Sequence, residues 1–274
     1  MNSLFKSLRW TVVAILAACS AARITAEPVG DNLLVLWYDK PAVKWVEALP
    51  VCNGRLGAMI FGGLNQERLQ LNEGTLWAGG PYDPVNPEAK EALPQVRQLI
   101  NEGKYREAAA LISAKVMAKP LGQMPYQTVG DLLLSFPEAN GENYRRDLNL
   151  DTAMVTISYT TDGVRYTREV FASAPDNVIV LRLKADKPGR ISFTATMKTP
   201  MKATVEADGN DTLAMRGKGG DSGGIQGQIK YEARVRAIAQ GGKTAVEAGQ
   251  ISVAQADEVT HPGRALNART KSTA

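Results

Sequence analysis

The chain has 274 residues, of which 44% are hydrophobic and 22% are charged. These fractions are typical of a globular protein and exclude a wholly disordered chain. The formal net charge is +4, but residues 1–26 and residues 261–274 each hold three basic residues and no acid, so residues 27–260 carry 26 basic and 28 acidic residues. We therefore expect no binding to nucleic acid, because the basic excess lies in the two end segments.

The N-terminal segment has the pattern of an export signal. Lys6 and Arg9 precede an apolar stretch, residues 10–18, which small residues follow. The stretch is too short to form a permanent membrane span. Cleavage before Cys19 would produce a lipoprotein whose only membrane contact is the acyl chain, and cleavage after Ala26 would release a soluble protein. Both routes predict an exported protein. It would be located in the periplasm, attached to the outer membrane as a lipoprotein, or secreted from the cell.

Short segments of alternating apolar and polar residues recur through the rest of the chain. They are bounded by Gly, Pro and Asn, as β-strands are. Their regular spacing predicts a mainly β protein, an antiparallel β-sandwich. The predicted strands are residues 33–38, 56–61, 68–71, 130–136, 178–183, 191–196, 230–239 and 250–253.

A small two-helix insertion interrupts the strands. Asn86 is the predicted N-cap of the first helix, with Pro87 at the first helical position, a restart at Pro94 and an end at Gly103. The second helix is predicted from an amphipathic stripe at Tyr105, Ala108, Ile112 and Val116.

The dipeptide Asp162-Gly163 predicts a tight hairpin turn. A two-residue turn places Tyr159 opposite Tyr166 and Val155 opposite Val170. It also places Arg168 opposite Ile157, so we expect a polar, solvent-facing side of this hairpin or a slightly longer turn. The glycine-rich residues 217–227 predict a loop. They lack the Gly-Lys-Ser/Thr ending and the following helix of a phosphate-binding loop.

Three motifs carry a resemblance to a known family. They are residues 36–42 with 49–63, residues 70–83 (QLNEGTLWAGGPYD), and residues 124–132 with 144–151. Together they resemble the N-terminal domain of glycoside hydrolase family 95, the inverting α-L-fucosidases with some α-galactosidase members. The likeness covers residues 30–260 and implies a supersandwich-like β domain, in agreement with the alternation.

The resemblance also implies a fucosylated oligosaccharide as substrate, no cofactor and no metal. In the family, an (α/α)6 barrel follows this domain and carries the catalytic acid and an asparagine-assisted carboxylate. No series of helical hairpins follows residue 120, and residues 261–274 lack both alternation and acids. We therefore expect a signal peptide (1–26), a β-sandwich domain (27–260) and an aberrant or disordered tail (261–274). The barrel would be a missing intramolecular partner, so we expect no activity of this chain alone.

The residue inventory limits the chemistry of this chain. Its single histidine, His261, lies in the basic tail, so neither a His-dependent nucleophilic site nor the commoner zinc sites can be assembled. Inverting hydrolysis needs two carboxyl groups about 6.5–9.5 Å apart. No such pair stands out in residues 27–260, so no catalytic residue is assigned.

Five residues are candidates for substrate binding or for contact with another domain: Asn53, Arg55, Asn72, Glu73 and Trp77. Glu73 and Asn72 supply polar groups beside Trp77, an aromatic platform that suits a sugar ring. The alternative is a structural role for each residue. Trp77 would pack in the core, as we expect for Trp37 and Trp45. Glu73 would make a turn or an interdomain hydrogen bond, and Arg55 would pair with an acid.

Cys52 stands where the resembled family usually has glycine. Since Cys19 lies in the signal segment, Cys52 is a lone thiol, which is more often a small buried filler than a nucleophile. A positive φ at this position would be strained by a side chain.

A function from another class also fits the sequence: a free-standing carbohydrate-binding or scaffold module of the cell envelope, tethered through Cys19.

Overall fold

The computed structural model describes residues 34–263. The chain divides into two compact units, Met1–Val35 and Leu36–Ala274. All but the last two residues of the first unit, including the predicted signal segment and Cys19, lie outside the described residues. The architecture below is that of the second unit, whose first strand begins one residue earlier at Val35.

Nearly half of the described chain is β-strand. In chain order the strands are β1 Val35–Tyr38, β2 Leu49–Cys52, β3 Leu56–Ile60, β4 Gln66–Glu73, β5 Gly130–Ser135, β6 Glu142–Asn149, β7 Met154–Thr161, β8 Val164–Ser173, β9 Val178–Ala185, β10 Ile191–Lys198, β11 Ala203–Ala207, β12 Thr212–Lys218, β13 Lys230–Arg236, β14 Ile238–Gln240, β15 Lys243–Glu247, β16 Gln250–Ala256 and β17 Glu258–Gly263.

Two seven-stranded sheets form the layers of the fold. The first has the order β1-β6-β7-β8-β9-β17-β14 and the second β15-β16-β10-β5-β4-β3-β2, while β11-β12-β13 form a small third sheet. Alternate residues along the strands point inward, and one hydrophobic cluster takes side chains from all three sheets, among them Ile157, Leu134 and Met215. The predicted antiparallel β-sandwich is confirmed.

The hairpin between β7 and β8 has the predicted register. Tyr159 pairs with Tyr166, Val155 with Val170, and Arg168 with Ile157. Asp162 and Gly163 both have positive φ, 50° and 65°. This is the backbone of the turn whose twist matches that of the two strands it joins.

The expected solvent-facing side of this hairpin is wrong, because Arg168 is buried. Its Nη1 donates to Glu67 Oε2 at 3.1 Å, and its Nη2 donates to Tyr159 Oη at 3.0 Å. The guanidinium also lies 4.0 Å from the centre of the Phe136 ring. Since Arg168 lies on β8 and Glu67 on β4, this ion pair joins the two large sheets.

Glu67 is surrounded by donors on the second sheet. Its Oε1 accepts hydrogen bonds from the backbone N–H groups of Gly62, at 2.7 Å, and Arg68, at 3.1 Å. Burial raises the pKa of the Glu67 carboxyl, and the charge of Arg168 acts in the opposite direction. Burial also raises the pKa of the nearby Tyr144 hydroxyl, which donates to the carbonyl of Gly62 at 2.7 Å.

The two-helix insertion lies between β4 and β5. It comprises α1 (Ala89–Asn101), α2 (Tyr105–Leu111) and a final π-helical turn (Ile112–Val116). The first helix starts later than predicted: the Asn86 side chain accepts from the Glu88 N–H at 3.1 Å, so it closes a turn that precedes the helix. Pro94 lies inside α1 rather than restarting it. Gly103 follows the helix with a φ of +73° and marks the predicted end.

Three further segments test the predicted boundaries. The predicted strand 230–239 is divided at Ala237, whose N–H donates to Asp211 O, and the chain passes there from the third sheet to the first. The predicted loop 217–227 begins two residues later than predicted, because β12 continues to Lys218, and an isolated bridge joins Ser222 and Ile225 within it. Strand β17 continues to Gly263, three residues beyond the predicted boundary at 260, because it pairs with β9 as far as Ile179. Residues 264–274 lie outside the described residues.

The buried ion pair leads to a stability prediction. Replacing Glu67 by Ala leaves the Arg168 guanidinium without its carboxylate inside the sandwich, so we expect the free energy of unfolding to fall by about 3–5 kcal/mol. Equilibrium denaturation with urea measures this change. The control is Glu258→Gln, which removes one of the two carboxylate partners of the half-exposed Arg182 and is expected to cost about 1 kcal/mol or less. If the free energy of unfolding fell equally in the two variants, the buried pair would contribute no more to stability than the surface pair, which would contradict this prediction.

Candidate functional site

Asn53 organises the loop between β2 and β3. Its Oδ1 accepts hydrogen bonds from the backbone N–H groups of Arg55, at 3.0 Å, and Leu56, at 2.7 Å. This closed turn is the local structure that asparagine side chains favour. The Asn53 Nδ2 donates to Ser173 O, at 2.8 Å, at the end of β8. The loop is thereby tied to the first sheet, and the direction of the Arg55 side chain is set.

Arg55 and Glu73 form the centre of the candidate site. Arg55 Nε donates to Glu73 Oε1 at 2.8 Å. Glu73 Oε2 accepts from the N–H of Thr75, at 2.9 Å, and from its hydroxyl, at 2.7 Å. The Glu73 side chain is fully buried, whereas about half of the Arg55 side chain is exposed. The expected pairing of Arg55 with an acid is present, and Glu73 holds the turn that follows β4.

Trp77 stands at the edge of this turn and not in the core. It is 42% exposed, and its Nε1 donates to Gly74 O at 3.3 Å. Its ring meets that of Tyr126 nearly at right angles, with 5.5 Å between the ring centres. Tyr126 donates its hydroxyl to Glu73 O at 2.9 Å, and burial, with the charge of Glu73, raises the pKa of that hydroxyl. The turn therefore fixes an exposed aromatic pair.

The core positions expected for the other two tryptophans are also wrong. Trp37 is 58% exposed and Trp45 is 54% exposed. The guanidinium of Arg145 lies 5.1 Å from the centre of the Trp37 ring, and Trp45 Nε1 donates to Gln70 Oε1. Both rings thus have polar neighbours at the surface, which the apolar character of tryptophan does not predict.

A cavity of about 570 Å³ opens beside Trp77. Glycines form one wall: a Cβ on Gly79 would lie 2.6 Å from Met124 Sδ, and one on Gly80 would lie 2.4 Å from Gln228 Cγ. Side chains at these two positions would displace their neighbours. The described residues that line the cavity are Trp77, Ala78, Gly79, Gly80, Pro81, Tyr82, Gln123, Met124, Gln228 and Ile229.

Two other residues singled out in the sequence lie apart from this arrangement. Asn72 is half-buried on the outer side of β4, opposite Gly57, and its side chain makes no hydrogen bond to another described residue. Cys52 is exposed rather than buried, so its predicted role as a core filler is wrong. Cys52 is in extended backbone at the end of β2, and the positive φ in this loop falls at Gly54.

The buried carboxylates of the described chain do not form a catalytic pair. Glu67 and Glu73 lie six residues apart on the inner side of β4, which separates them by about 20 Å along the strand. An inverting glycosidase needs a separation of about 6.5–9.5 Å. Each carboxylate also accepts a hydrogen bond from its own arginine, Glu73 from Arg55 and Glu67 from Arg168.

Metal-ligating groups and membrane-spanning helices are both absent from residues 34–263. No three His, Cys, Asp or Glu side chains come together there in a group that could hold a metal ion. Neither helix in this part of the chain has the length and apolarity needed to cross a membrane.

Neither Tyr126 nor the Glu67–Arg168 pair was singled out as functional by the sequence patterns. Tyr126 lies in one of the three motifs that carry the family resemblance, yet its contact with Glu73 O spans 53 positions. The partners Glu67 and Arg168 are separated by 101 positions. Alternation along β4 and β8 places both residues on inward positions, and this is the one local signal that could have indicated their burial.

Comparison with known proteins identifies the family. The family model described as "Glycosyl hydrolase family 65, N-terminal domain" matches residues 36–261. The chain is 40% identical over 189 residues to "Alpha-L-fucosidase 2" of Arabidopsis thaliana, a match that covers 67% of this chain and 22% of the relative. It is 30% identical over 240 residues to "Probable alpha-fucosidase A" of Aspergillus niger, covering 81% of this chain and 28% of the relative.

This chain spans less than a third of the length of those relatives. A further match, to "Probable alpha-fucosidase A" of Aspergillus oryzae, is 29% identical over 162 residues and covers 55% of this chain and 21% of the relative. Among solved structures, "Putative kojibiose phosphorylase from human microbiome" aligns with a TM-score of 0.46 at 7% identity, over 88% of this chain and 33% of that one.

The hydrogen bonds of Glu73 lead to a prediction for the site. Glu73→Ala removes three hydrogen bonds from the turn before Trp77, and we expect the free energy of unfolding to fall by about 1–3 kcal/mol. Asn72→Ala is the matched control one residue away and is expected to change it by about 0.5 kcal/mol or less. Urea denaturation of both variants measures the difference. An unchanged stability in Glu73→Ala would show that the turn does not depend on this carboxylate.

Proposed function

The chain belongs to the family of glycosyl hydrolase family 65 N-terminal domains, and on this premise we propose that it serves an α-L-fucosidase of glycoside hydrolase family 95. The substrates of that enzyme are fucosylated glycans, and it releases fucose by inverting hydrolysis. The described β-sandwich supports this reaction without performing it. An (α/α)6 catalytic domain, joined in the same polypeptide, supplies the acid and the water-activating carboxylate.

One observation carries the assignment of chemistry to another domain. The two buried carboxylates of the sandwich lie about 20 Å apart along β4, and each is neutralised by an arginine. Neither can donate a proton to a leaving group while the other activates a water on the same sugar. The relatives named as fucosidases extend far beyond the matched segment, which supports a separate catalytic domain.

An exposed apolar segment supplies a surface for that domain. Residues 36–47 contain the exposed side chains of Trp37, Trp45, Val43 and Val46. The buried Arg146 holds this segment in place, because its Nε donates to Lys40 O and its Nη1 to Glu47 O, at 2.8 and 2.7 Å. Apolar area of this kind on a soluble domain marks a contact surface. We propose that the catalytic domain covers it.

A chimera tests the proposed function. Residues 36–263 replace the matching segment of Arabidopsis alpha-L-fucosidase 2, to which the chain is 40% identical over 189 residues. We expect this chimera to release fucose from nitrophenyl α-L-fucoside with inversion at the anomeric carbon, as followed by NMR. The 274-residue chain alone is expected to release none, and the Glu73→Gln variant of the chain serves as a control for contaminating activity.

Two outcomes would overturn the proposal. A folded but inactive chimera would remove the link to fucosidase catalysis and leave a free-standing carbohydrate-binding or scaffold module. Turnover by the chain alone, lost in Glu73→Gln, would place the chemistry in the sandwich itself. Retention of configuration in an active chimera would contradict the inverting mechanism alone.

We further propose that the chain is exported, on the evidence of the basic and apolar pattern of residues 1–26. Expression in a Gram-negative host, followed by intact-mass analysis of the mature protein, tests this proposal. The expected product begins either at an acylated Cys19, in the membrane fraction, or at Glu27, in the periplasm. Cys19→Ser moves only the first product out of the membrane fraction. A cytoplasmic protein that retains Met1 would contradict export.

A further inference from the structure

The cavity beside Trp77 has the chemistry of a site for a neutral sugar. We propose that it is a non-catalytic binding cleft for a neutral oligosaccharide, with Trp77 as the stacking platform. This inference rests on the proposed function for the nature of its ligand, a fucosylated glycan. Its evidence is separate: it comes from the aromatic rings, the uncharged lining and the unpaired polar side chains of the cleft.

The aromatic rings supply the apolar contact. Trp77 and Tyr82 both line the cavity, and Trp77 keeps 42% of its surface exposed. The hydrogen bond to Gly74 O and the contact with Tyr126 hold the Trp77 ring in one orientation. A ring fixed before the ligand arrives loses little conformational entropy on binding. The C–H groups of a pyranose can pack against such a ring, as apolar surface does.

The lining selects against charged ligands. None of the ten described residues that line the cavity is charged, although 22% of the chain is. A phosphate, sulfate or carboxylate group in the cleft would lose water and meet no cationic partner, which is unfavourable. The ligand that fits is therefore neutral.

Polar side chains stand ready for a hydroxylated ligand. The amides of Gln123 and Gln228 and the hydroxyl of Tyr82 face no hydrogen-bond partner among the described residues. Amides both donate and accept, as sugar hydroxyl groups do, so they can pair with a sugar in either sense. An all-hydrocarbon ligand would not use them. Aromatic surface with a few neutral polar groups is typical of small-molecule sites.

The size of the cleft suits an oligosaccharide. Its volume of about 570 Å³ lies within the range of about 300–1,000 Å³ that small-molecule sites occupy. Gly79 and Gly80 let Met124 and Gln228 pack directly against the backbone of this wall, because a Cβ on either glycine would displace one of those side chains. The cleft is thus built into the backbone on one side and lined by adaptable amides on the other.

Titration of the full chain with fucosyllactose, a neutral trisaccharide that contains fucose, tests the inference. We expect saturable changes in tryptophan fluorescence and in ligand-observed NMR, with half-saturation on the order of 1 mM. Trp77→Ala is expected to weaken binding by about tenfold or more, because it removes the platform. Gln228→Ala is expected to weaken it severalfold, and it tests the cleft independently if Trp77→Ala fails to fold.

The matched control is Trp45→Ala, which removes an exposed tryptophan outside the cleft and is expected to leave binding unchanged. Sialyllactose, of similar size but anionic, is expected to bind more weakly than fucosyllactose. The absence of saturation, or equal binding by wild type, Trp77→Ala and Gln228→Ala, would overturn the inference. A second result would also overturn it. If Trp77→Ala abolished the fucosidase activity of the chimera and left sugar binding unchanged, the cleft would be a contact between domains and not a sugar site.

The fucosidase chimera separates this inference from the proposed function. If the chimera is active but the 274-residue chain binds no sugar, the sugar-binding inference is wrong and the proposed function stands. Saturable binding with an inactive chimera overturns the fucosidase assignment alone.

Discussion

The ion pair between Glu67 and Arg168 is the constraint on which the arrangement of the two large sheets depends. Both side chains are removed from water, which is tolerated because each has several hydrogen-bond partners besides the other. The guanidinium donates to the carboxylate, to the carbonyls of Gly63 and Leu64 and to Tyr159 Oη, and it lies over the Phe136 ring. A sandwich with another relative position of β4 and β8 would leave two buried charges unpaired, so the pair stabilises one packing of the sheets above its alternatives.

Strand β4 connects this constraint to the surface that concerns function. Its inner side begins with Glu67 and ends with Glu73, with Leu69 and Leu71 between them in the core. At its far end, Glu73 takes hydrogen bonds from Arg55 and Thr75, while its carbonyl accepts from Tyr126. The orientation of Trp77 is therefore set by a strand whose other end is fixed between the sheets. Aromatic groups held in this way are preorganised for a ligand and do not need to be ordered by it.

The sequence predicted those features that short-range patterns determine. Alternation indicated the sandwich, and Asp162-Gly163 fixed the register of the hairpin, because a two-residue turn leaves no freedom in pairing. Burial of Arg168 was missed because its partner lies 101 positions away, and no local pattern distinguishes it from an exposed arginine. The tryptophans were misplaced for a related reason. Apolar area argues for burial on average, but it does not say whether the covering surface lies in the same domain. The motif around Asn72 and Glu73 drew attention to the turn that precedes Trp77. The cavity beside Trp77 is also lined by Gln228, which only the fold brings near.

The electrostatics of the sandwich support the proposed division of labour between glycan binding and chemistry. Its two buried carboxylates are neutralised by arginines, and its cavity is lined by uncharged residues. Acid–base hydrolysis needs the reverse, a site in which carboxyl groups are kept apart from cations so that one stays protonated. A weak glycan site in the same polypeptide as a catalytic domain would still contribute to turnover, since tethering raises the local concentration of a multivalent substrate without any new catalytic group. That contribution depends on the distance between the glycan site and the catalytic site. Strand β4 is fixed by the Glu67–Arg168 pair at one end and by the hydrogen bonds of Glu73 at the other, so the position of Trp77 within the sandwich is well defined.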